Sequence, residues 1–155
     1  GELMQLLDKK RDVLEIYLSD TEKKLAVLDD LAERIKILVR IVNARFLNKK
    51  IEINRSEGFI FRLSNGSVLM PEDLSSGEQH IVVLLYEMLF RIKPDSLIFI
   101  DEPELSLHIF WQQQFIRDIE DIIRLVGFDA LIATHSPQII HDRWDLAVEL
   151  KADCQ

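Results

Sequence analysis

Two short apolar runs, each closed by polar residues, constrain the fold of this chain more than any other feature. The run LIFI at 97–100 is followed by two acids, and the run ALIA at 130–133 is followed by Thr-His. Continuous apolar runs of this length are typical of parallel strands that are buried on both faces. Between them, residues from Ser106 to about Leu125 have helical periodicity, and Gly127 follows as an end signal. The sequence therefore predicts an α/β fold.

Further elements of the α/β part are predicted from Pro71 onward. Helical spacing indicates a helix from about Gly77 to Arg91. Its inward positions are expected to be Ile81, Leu84, Leu85, Met88 and Leu89. Residues 137–141 favour a helical turn, and residues 146–150 a last strand.

The period of the apolar pattern changes to two between residues 49 and 70. Apolar residues alternate with polar ones over 51–54, and apolar positions of period two recur over 59–63. The turn signals are Ser-Glu-Gly at 56–58 and Asn65-Gly66, after which Val68 begins a third strand. These residues predict short antiparallel hairpins.

Residues 2–47 contain neither glycine nor proline and have helical periodicity. Ser19 with Glu22 fits a capping box, so one helix is expected to end near Leu18 and another to begin. An amphipathic helix pair over a core is favoured, and an intermolecular coiled coil is the alternative. The chain is divided into a helical segment, 1–48, as the remnant of an inserted helical region, and an α/β lobe, 49–155.

Composition limits the class of protein. The net charge of −8 argues against a broad nucleic-acid-binding face on these 155 residues. No apolar run approaches the roughly 20 residues that span a bilayer, so no membrane partner is expected. Cys154 is the only cysteine, which excludes a disulfide within the chain and favours a cytoplasmic location.

Asp101 and Glu102 end the first apolar run, at the strand end where open α/β sheets bind ligands. In phosphoryl transfer, one acid of such a pair holds Mg²⁺ and the other orients or deprotonates the attacking water. The alternative is a strand end with solvated acids.

The segment LSSGEQ at 74–79 leads into the helix that is predicted from about Gly77 to Arg91. Ser75 or Ser76 can cap that helix, Gly77 permits close backbone approach to a ligand, and helix N-termini favour phosphate. An ordinary capping box from Ser75 to Glu78 is the alternative.

His135 follows the second apolar run, and Pro137 then blocks continuation of the strand. Its position could bring the imidazole to the same crevice as Asp101. A hydrogen-bonded loop histidine is the alternative interpretation.

Taken together, LSSGEQ at 74–79, SLIFIDEP at 96–103 and LIATHSP at 131–137 resemble the signature motif, Walker B and switch histidine of ABC-type ATPases, in the same order. The similarity extends over residues 44–142. The chain resembles SMC-like and RecF-like proteins. It resembles more closely the bacterial AAA-labelled ATPases of the overcoming-lysogenisation-defect class and of anti-phage systems. This resemblance implies the C-terminal lobe of a P-loop NTPase of ABC type, with N-terminal helices and short antiparallel hairpins.

The resemblance also implies a role for each matching residue. ATP held by the opposite subunit would meet the signature residues Ser75, Ser76, Gly77, Glu78 and Gln79. Asp101 would position Mg²⁺, Glu102 would act on the hydrolytic water, and His135 would contact the γ-phosphate. Ser106 and His108 fall in the D-loop, which communicates across the dimer.

The Walker A pattern G-x-x-x-x-G-K-[ST] does not occur in this sequence. The resemblance therefore implies a separate N-terminal Walker A lobe and an intact ATPase that forms a homodimer of heads across ATP. DNA repair or anti-phage defence is the implied setting, with DNA and an effector nuclease as candidate partners. This chain alone is expected to be inactive. The alternative is a non-catalytic interaction or dimerisation module that uses residues 2–47.

Overall fold

The computed structural model describes residues 2–150 of the chain, with side chains from residue 14 onward. The elements in chain order are α1 (Glu2–Arg45), β1 (Lys49–Asn54), β2 (Gly58–Leu63), β3 (Val68–Leu69), α2 (Ser76–Tyr86), β4 (Leu97–Asp101), α3 (Ile109–Val126), β5 (Asp129–Ala133) and α4 (Pro137–Ile140). Among these described residues, no helix combines the length and the apolar content needed to cross a membrane.

Helix α1 runs unbroken, so the predicted division into two packed helices near Leu18 is wrong. Nothing in the backbone forces a break, because this segment has no glycine or proline. At the expected boundary, the Thr21 hydroxyl donates a hydrogen bond of 2.8 Å to the Tyr17 carbonyl inside the helix. The chain forms two compact units, one up to Lys36 and one from Ile37 onward.

The first unit is helical, and much of its described apolar surface is exposed. Two of its apolar residues, Leu14 and Leu28, are 60% and 59% exposed. Two others, Leu3 and Leu7, have side chains outside the described part of the chain. The assignment of residues 1–48 to a separate helical segment stays a prediction.

The second unit contains the predicted antiparallel hairpins, which form a sheet of order β1-β2-β3. Gly58 and Gly66 take positive φ angles of 76° and 88°, which lets the chain reverse at both turns. The end of α1 is joined to β1 by Asn43, whose side chain exchanges two hydrogen bonds with the backbone of Ile51. The sheet therefore rests against the last turns of α1.

Strands β4 and β5 form the predicted parallel pair, with Leu97 opposite Asp129 and Asp101 opposite Ala133. The expectation that both faces are buried is wrong for this chain. Leu97, Phe99 and Leu131 are 57%, 72% and 58% exposed, because no layer of the described chain covers that face of the sheet.

The other face of this sheet packs on the main core. Helix α3 contributes a stripe at helical spacing, and its end is set by Gly127 at a φ of 81°. It begins at Ile109 rather than at the predicted Ser106, since a short 3-10 turn occupies Pro103–Ser106. The fully buried members of the core are Leu38, Ile41, Val42, Ile51, Leu85, Met88, Leu89, Ile122 and Ile139.

The α2 and α4 predictions are confirmed, whereas the predicted last strand over 146–150 is wrong. Helix α2 continues through a π-helical turn at Glu87–Arg91, and α4 forms the expected short turn. Residues 147–150 have no regular structure, and Val148 is 84% exposed. A strand needs a hydrogen-bonding neighbour, and the described chain offers none at that position.

Candidate functional site

The predicted acidic pair lies at the carboxyl end of β4. Asp101 is the last residue of the strand and is exposed. The Glu102 amide donates a 2.8 Å hydrogen bond to the carbonyl of Ala133, the last residue of β5. Glu102 itself takes left-handed angles, φ 43° and ψ 53°, immediately before Pro103. Such a conformation is costly for a residue without a glycine's freedom, and it is found preferentially at functional sites.

His135 comes to the same place from the end of β5. Its Nε2 lies 3.7 Å from Oε1 of Glu102. The histidine side chain is 91% exposed and that of Glu102 40% exposed, so both groups are open to a ligand. The ends of β4 and β5 thus bring Glu102 and His135 close together. That His135 shares a ligand-binding crevice with Asp101 stays a prediction.

Glu104 holds the loop that carries His135, a connection that the sequence did not reveal. Its carboxylate accepts 2.8 Å hydrogen bonds from Oγ1 of Thr134 and from the His135 amide. Partial burial raises the pKa of Glu104, but hydrogen bonds from its own amide, Thr134 and the His135 amide outweigh this and bring the pKa below its usual range. The carboxylate is therefore ionised at neutral pH.

Gln112 of α3 makes a second connection to the same loop. Its Nε2 donates to the carbonyls of Glu104 and Leu107 at 3.3 and 3.0 Å, and its Oε1 accepts from the Ser136 hydroxyl at 2.8 Å. The Ser136 hydroxyl also accepts from the Gln138 amide, which caps α4. The turn after β4 and the loop after β5 are thus hydrogen-bonded at two points.

The segment at 74–79, which we predict to be the signature motif and call the signature segment, forms the N-terminus of α2. The capping box that was its alternative interpretation is present. The Ser75 hydroxyl accepts from the Glu78 amide at 3.4 Å, and the Glu78 carboxylate accepts from the Ser75 amide at 2.8 Å. Lys49 of β1 donates to the same carboxylate at 2.6 Å. Burial raises the pKa of Glu78, but the Lys49 and Ser75 hydrogen bonds bring it below its usual range.

Gly77 allows this helix to approach the turn at Pro103–Ser106. A Cβ at that position would lie 2.9 Å from the Ser106 carbonyl oxygen, closer than real side chains come. Glycine is needed there for backbone packing within the chain, in addition to any ligand. Gln79 stabilises the loop that precedes α2, because its Nε2 donates hydrogen bonds to the carbonyls of Pro71, Glu72 and Leu74. Ser76 is exposed.

His108 begins α3 as its N-cap residue, and its ring stacks on the exposed Phe110 with centroids 5.4 Å apart. The predicted site residues thus form two groups, one around Glu102 and His135, the other around Ser75 and Gly77. Among the described residues, no hydrogen bond or ion pair links the two groups directly. They are connected through the turn at Pro103–Ser106.

Asp101 fits Mg²⁺ only as one ligand of several. Within the described part of the chain, no three histidine, cysteine or acidic residues come together as a metal site. Mg²⁺ in nucleotide sites is usually held by one or two carboxylates together with substrate phosphates and water. One exposed carboxylate at a strand end is compatible with that arrangement.

Three curated relatives match parts of the chain. Retron Vc95 probable ATPase of Vibrio cholerae serotype O1 biovar El Tor is 26% identical over 146 residues, covering 89% of this chain and 27% of the relative. Retron Ec83 probable ATPase of Escherichia coli is 28% identical over 153 residues, covering 79% and 28%. Protein ea59 of Escherichia phage lambda is 30% identical over 69 residues, covering 44% and 13%. The chain spans little more than a quarter of the length of the retron relatives.

The family model described as AAA ATPase domain matches residues 2–140. That range includes α1, both sheets, the signature segment and the Glu102–His135 pair. The observed helix-and-sheet arrangement agrees with the α/β fold of P-loop NTPases that the sequence predicted. The chain belongs to the AAA ATPase domain family.

Proposed function

We propose that this chain supplies the C-terminal half of an ATP-hydrolysing site of the ABC type. It would contribute the signature motif at 74–79, Walker B at 96–103, the D-loop and the switch histidine. One observation carries the proposal. Glu102 and His135, at the ends of two adjacent parallel strands, approach within 3.7 Å while both stay open to solvent.

Each group has a chemical task in this proposal. The Glu102 carboxylate accepts a proton from the water that attacks the γ-phosphate, and its left-handed backbone directs it out of the strand. His135 donates a hydrogen bond to the γ-phosphate of the same ATP. Asp101 would hold Mg²⁺, which neutralises charge on the phosphate oxygens.

The signature segment would bind ATP that is held by a second copy of the protein. The exposed Ser75 and Ser76 lie at the N-terminus of α2, where backbone N–H groups and the helix dipole favour phosphate. Glu78 and Gln79 use their polar atoms to hold this loop in shape. The proposed assembly is a homodimer of heads with ATP between them. Ser106 and His108 of the D-loop would carry the communication between the two heads.

The intact protein would contribute the phosphate-gripping Walker A loop from a separate lobe. The proposal is supported by the greater length of the retron relatives and by the exposed face of the β4–β5 sheet. We propose that the intact ATPase acts in bacterial anti-phage defence or DNA repair, the setting that the resemblance of its motifs implies. Two of the relatives are named as probable ATPases of retrons, which supports the ATPase part of this proposal. DNA and an effector nuclease are its proposed partners.

One observation favours a second candidate function, a non-catalytic interaction module. Along α1, the apolar residues of positions 14–31 are exposed and could meet a partner helix. Nucleotide dependence separates the two proposals. An ATPase head associates when ATP is present, whereas such a module binds its partner equally well without nucleotide.

The test of the ATPase is Glu102→Gln in the complete protein. The amide keeps the shape of the side chain but cannot accept the proton, so hydrolysis should fall by about 100-fold or more while ATP binding is retained. Turnover and ATP affinity are measured separately. The control is Glu57→Gln, the same change at an exposed hairpin residue. Wild-type turnover in the Glu102 variant would remove this residue from the mechanism and contradict the proposal.

A further inference from the structure

We propose that Glu104 is the positioning residue for His135, holding the loop after β5 in the place that hydrolysis requires. The inference rests on the proposed ATPase function and adds a residue to it. Glu104 is neither an expected ligand of Mg²⁺ nor an expected base. It acts through its hydrogen bonds with the Thr134 hydroxyl and the His135 amide.

The contacts leave little else to orient the histidine. The Glu104 carboxylate accepts a 2.8 Å hydrogen bond at Oε2 from the Thr134 hydroxyl and another of 2.8 Å at Oε1 from the His135 amide. The imidazole is 91% exposed, so packing contributes little to its orientation. Its position relative to Glu102 therefore follows from where the loop backbone is held.

The Thr134 hydroxyl extends the connection by one residue, because it also accepts a 3.0 Å hydrogen bond from the Ser136 amide. Glu104 thus orders three consecutive loop residues through two hydrogen bonds. The ionised state of Glu104 agrees with the observed contacts, in which both of its oxygens act as acceptors.

Glu104 also links the histidine to the D-loop. It belongs to the 3-10 turn Pro103–Ser106, whose last carbonyl lies against Gly77 of the signature helix. A movement of that turn on association with a second head would be transmitted to His135 through the same carboxylate. Gln112 strengthens the connection, because it bonds both to the Glu104 carbonyl and to Ser136.

The chemistry of the bonds defines informative variants. Glu104→Ala removes both acceptors. Glu104→Gln keeps an oxygen for the His135 amide, and its NH₂ can donate to the Thr134 hydroxyl, so the loop can stay in place. Thr134→Val removes the hydroxyl partner while keeping the side-chain volume. If Glu104 and Thr134 act through one bond, the effects of Glu104→Ala and Thr134→Val are not additive in the double variant.

The first measurement uses the complete protein without nucleotide. Hydrogen exchange followed by mass spectrometry should show faster exchange in a peptide covering residues 131–140 for Glu104→Ala and near wild-type exchange for Glu104→Gln. Peptides from α3 and from β1–β2 should be unchanged. Unchanged exchange at 131–140 in the alanine variant would overturn the positioning role, whether or not the protein hydrolyses ATP.

The second measurement is steady-state hydrolysis. Glu104→Ala should lower kcat by about 10- to 100-fold and leave KM for ATP within about threefold, as expected for a residue that orients a catalytic group. Glu104→Gln should stay within about threefold of wild type in both constants. An equal loss in the two variants would show that the charge itself is required, which contradicts positioning. A wild-type protein that hydrolyses no ATP would instead refute the proposed function, while the exchange result would still decide the loop contact.

Discussion

Among single residues, Glu78 joins the N-terminus of α2 to the hairpin sheet. Its carboxylate accepts from the Ser75 amide and hydroxyl and from Lys49, so it caps α2 and ties that helix to the hairpin sheet. The Lys49 and Glu78 side chains are only 21% and 10% exposed. Hydrogen bonds to a charged group in such a setting contribute more than exposed ion pairs do.

Glu78→Gln in this chain should therefore destabilise it by about 1–3 kcal/mol at pH 7. Because the folded pKa of Glu78 lies below its ordinary value of 4.5, the stabilisation is fully present above pH 4.5 and is lost as the pH falls through the folded pKa. Denaturant unfolding of wild type and variant between pH 7 and pH 3 checks this.

The matched control is Glu52→Gln, which removes a 3.2 Å ion pair with Arg62 whose side chains are 48% and 36% exposed. It should cost under about 1 kcal/mol at any of these pH values. A Glu78 effect that did not shrink at low pH would show that the charge is not what stabilises the loop.

At the scale of elements, the N-terminus of α2 is the part of this chain that we expect to meet ATP across an interface. It is held from three sides: by the capping box, by Lys49, and by the backbone contact of Gly77 with Ser106. This bracing leaves Ser75 and Ser76 exposed at a rigid helix end. A preorganised helix end binds phosphate without first paying an ordering cost.

Ser75→Arg should block ATP-driven dimerisation of the complete protein without unfolding the head. A long cation would occupy the place where the opposing γ-phosphate must meet the helix N-terminus. Gel filtration with ATP, on a Glu102→Gln background that retains nucleotide, is the measurement. Ser67→Arg, the same change at an exposed residue beside the Asn65-Gly66 turn, serves as the control and should leave dimerisation unchanged. Dimerisation at wild-type strength in the arginine variant would mean that this helix end does not work across an interface.

At the scale of the whole molecule, the exposed face of the β4–β5 sheet is the most unusual surface. Leu97, Phe99 and Leu131 stand on it side by side in the parallel register. Exposed apolar sheet surfaces and unpaired strand edges promote association with other chains. In the intact protein, we propose that the Walker A lobe packs against this face.

The 155-residue chain on its own should consequently self-associate at micromolar concentrations. Sedimentation equilibrium over a range of concentrations measures this directly. Phe99→Ser should weaken the association and cost little stability, since this side chain is 72% exposed. Val83→Ser, at a 59% exposed position on α2, is the control and should leave the self-association unchanged. A wild-type chain that stays monomeric throughout would contradict the argument.

Much of this molecule follows from local sequence patterns. The Asn65-Gly66 turn, the alternation in β1 and β2, the apolar runs of β4 and β5, and the Gly127 helix end were all predicted and are all observed. Each depends on the backbone preferences and side-chain period of a few neighbouring residues. The same local information placed Glu102 and His135 at adjacent strand ends, because parallel strands bring their carboxyl ends to one edge.

Only the tertiary structure decided the features that depend on distant partners. The Glu104 and Gln112 bonds to the loop of His135, and the Lys49–Glu78 pair, join residues 24 to 31 positions apart. No periodic pattern in the sequence predicts such contacts. Helix α1 is continuous although Ser19 and Glu22 fit a capping box, because no glycine or proline breaks the backbone between residues 2 and 45. Residues 146–150 have strand-like composition but form no strand, since a strand exists only when another strand supplies its hydrogen bonds.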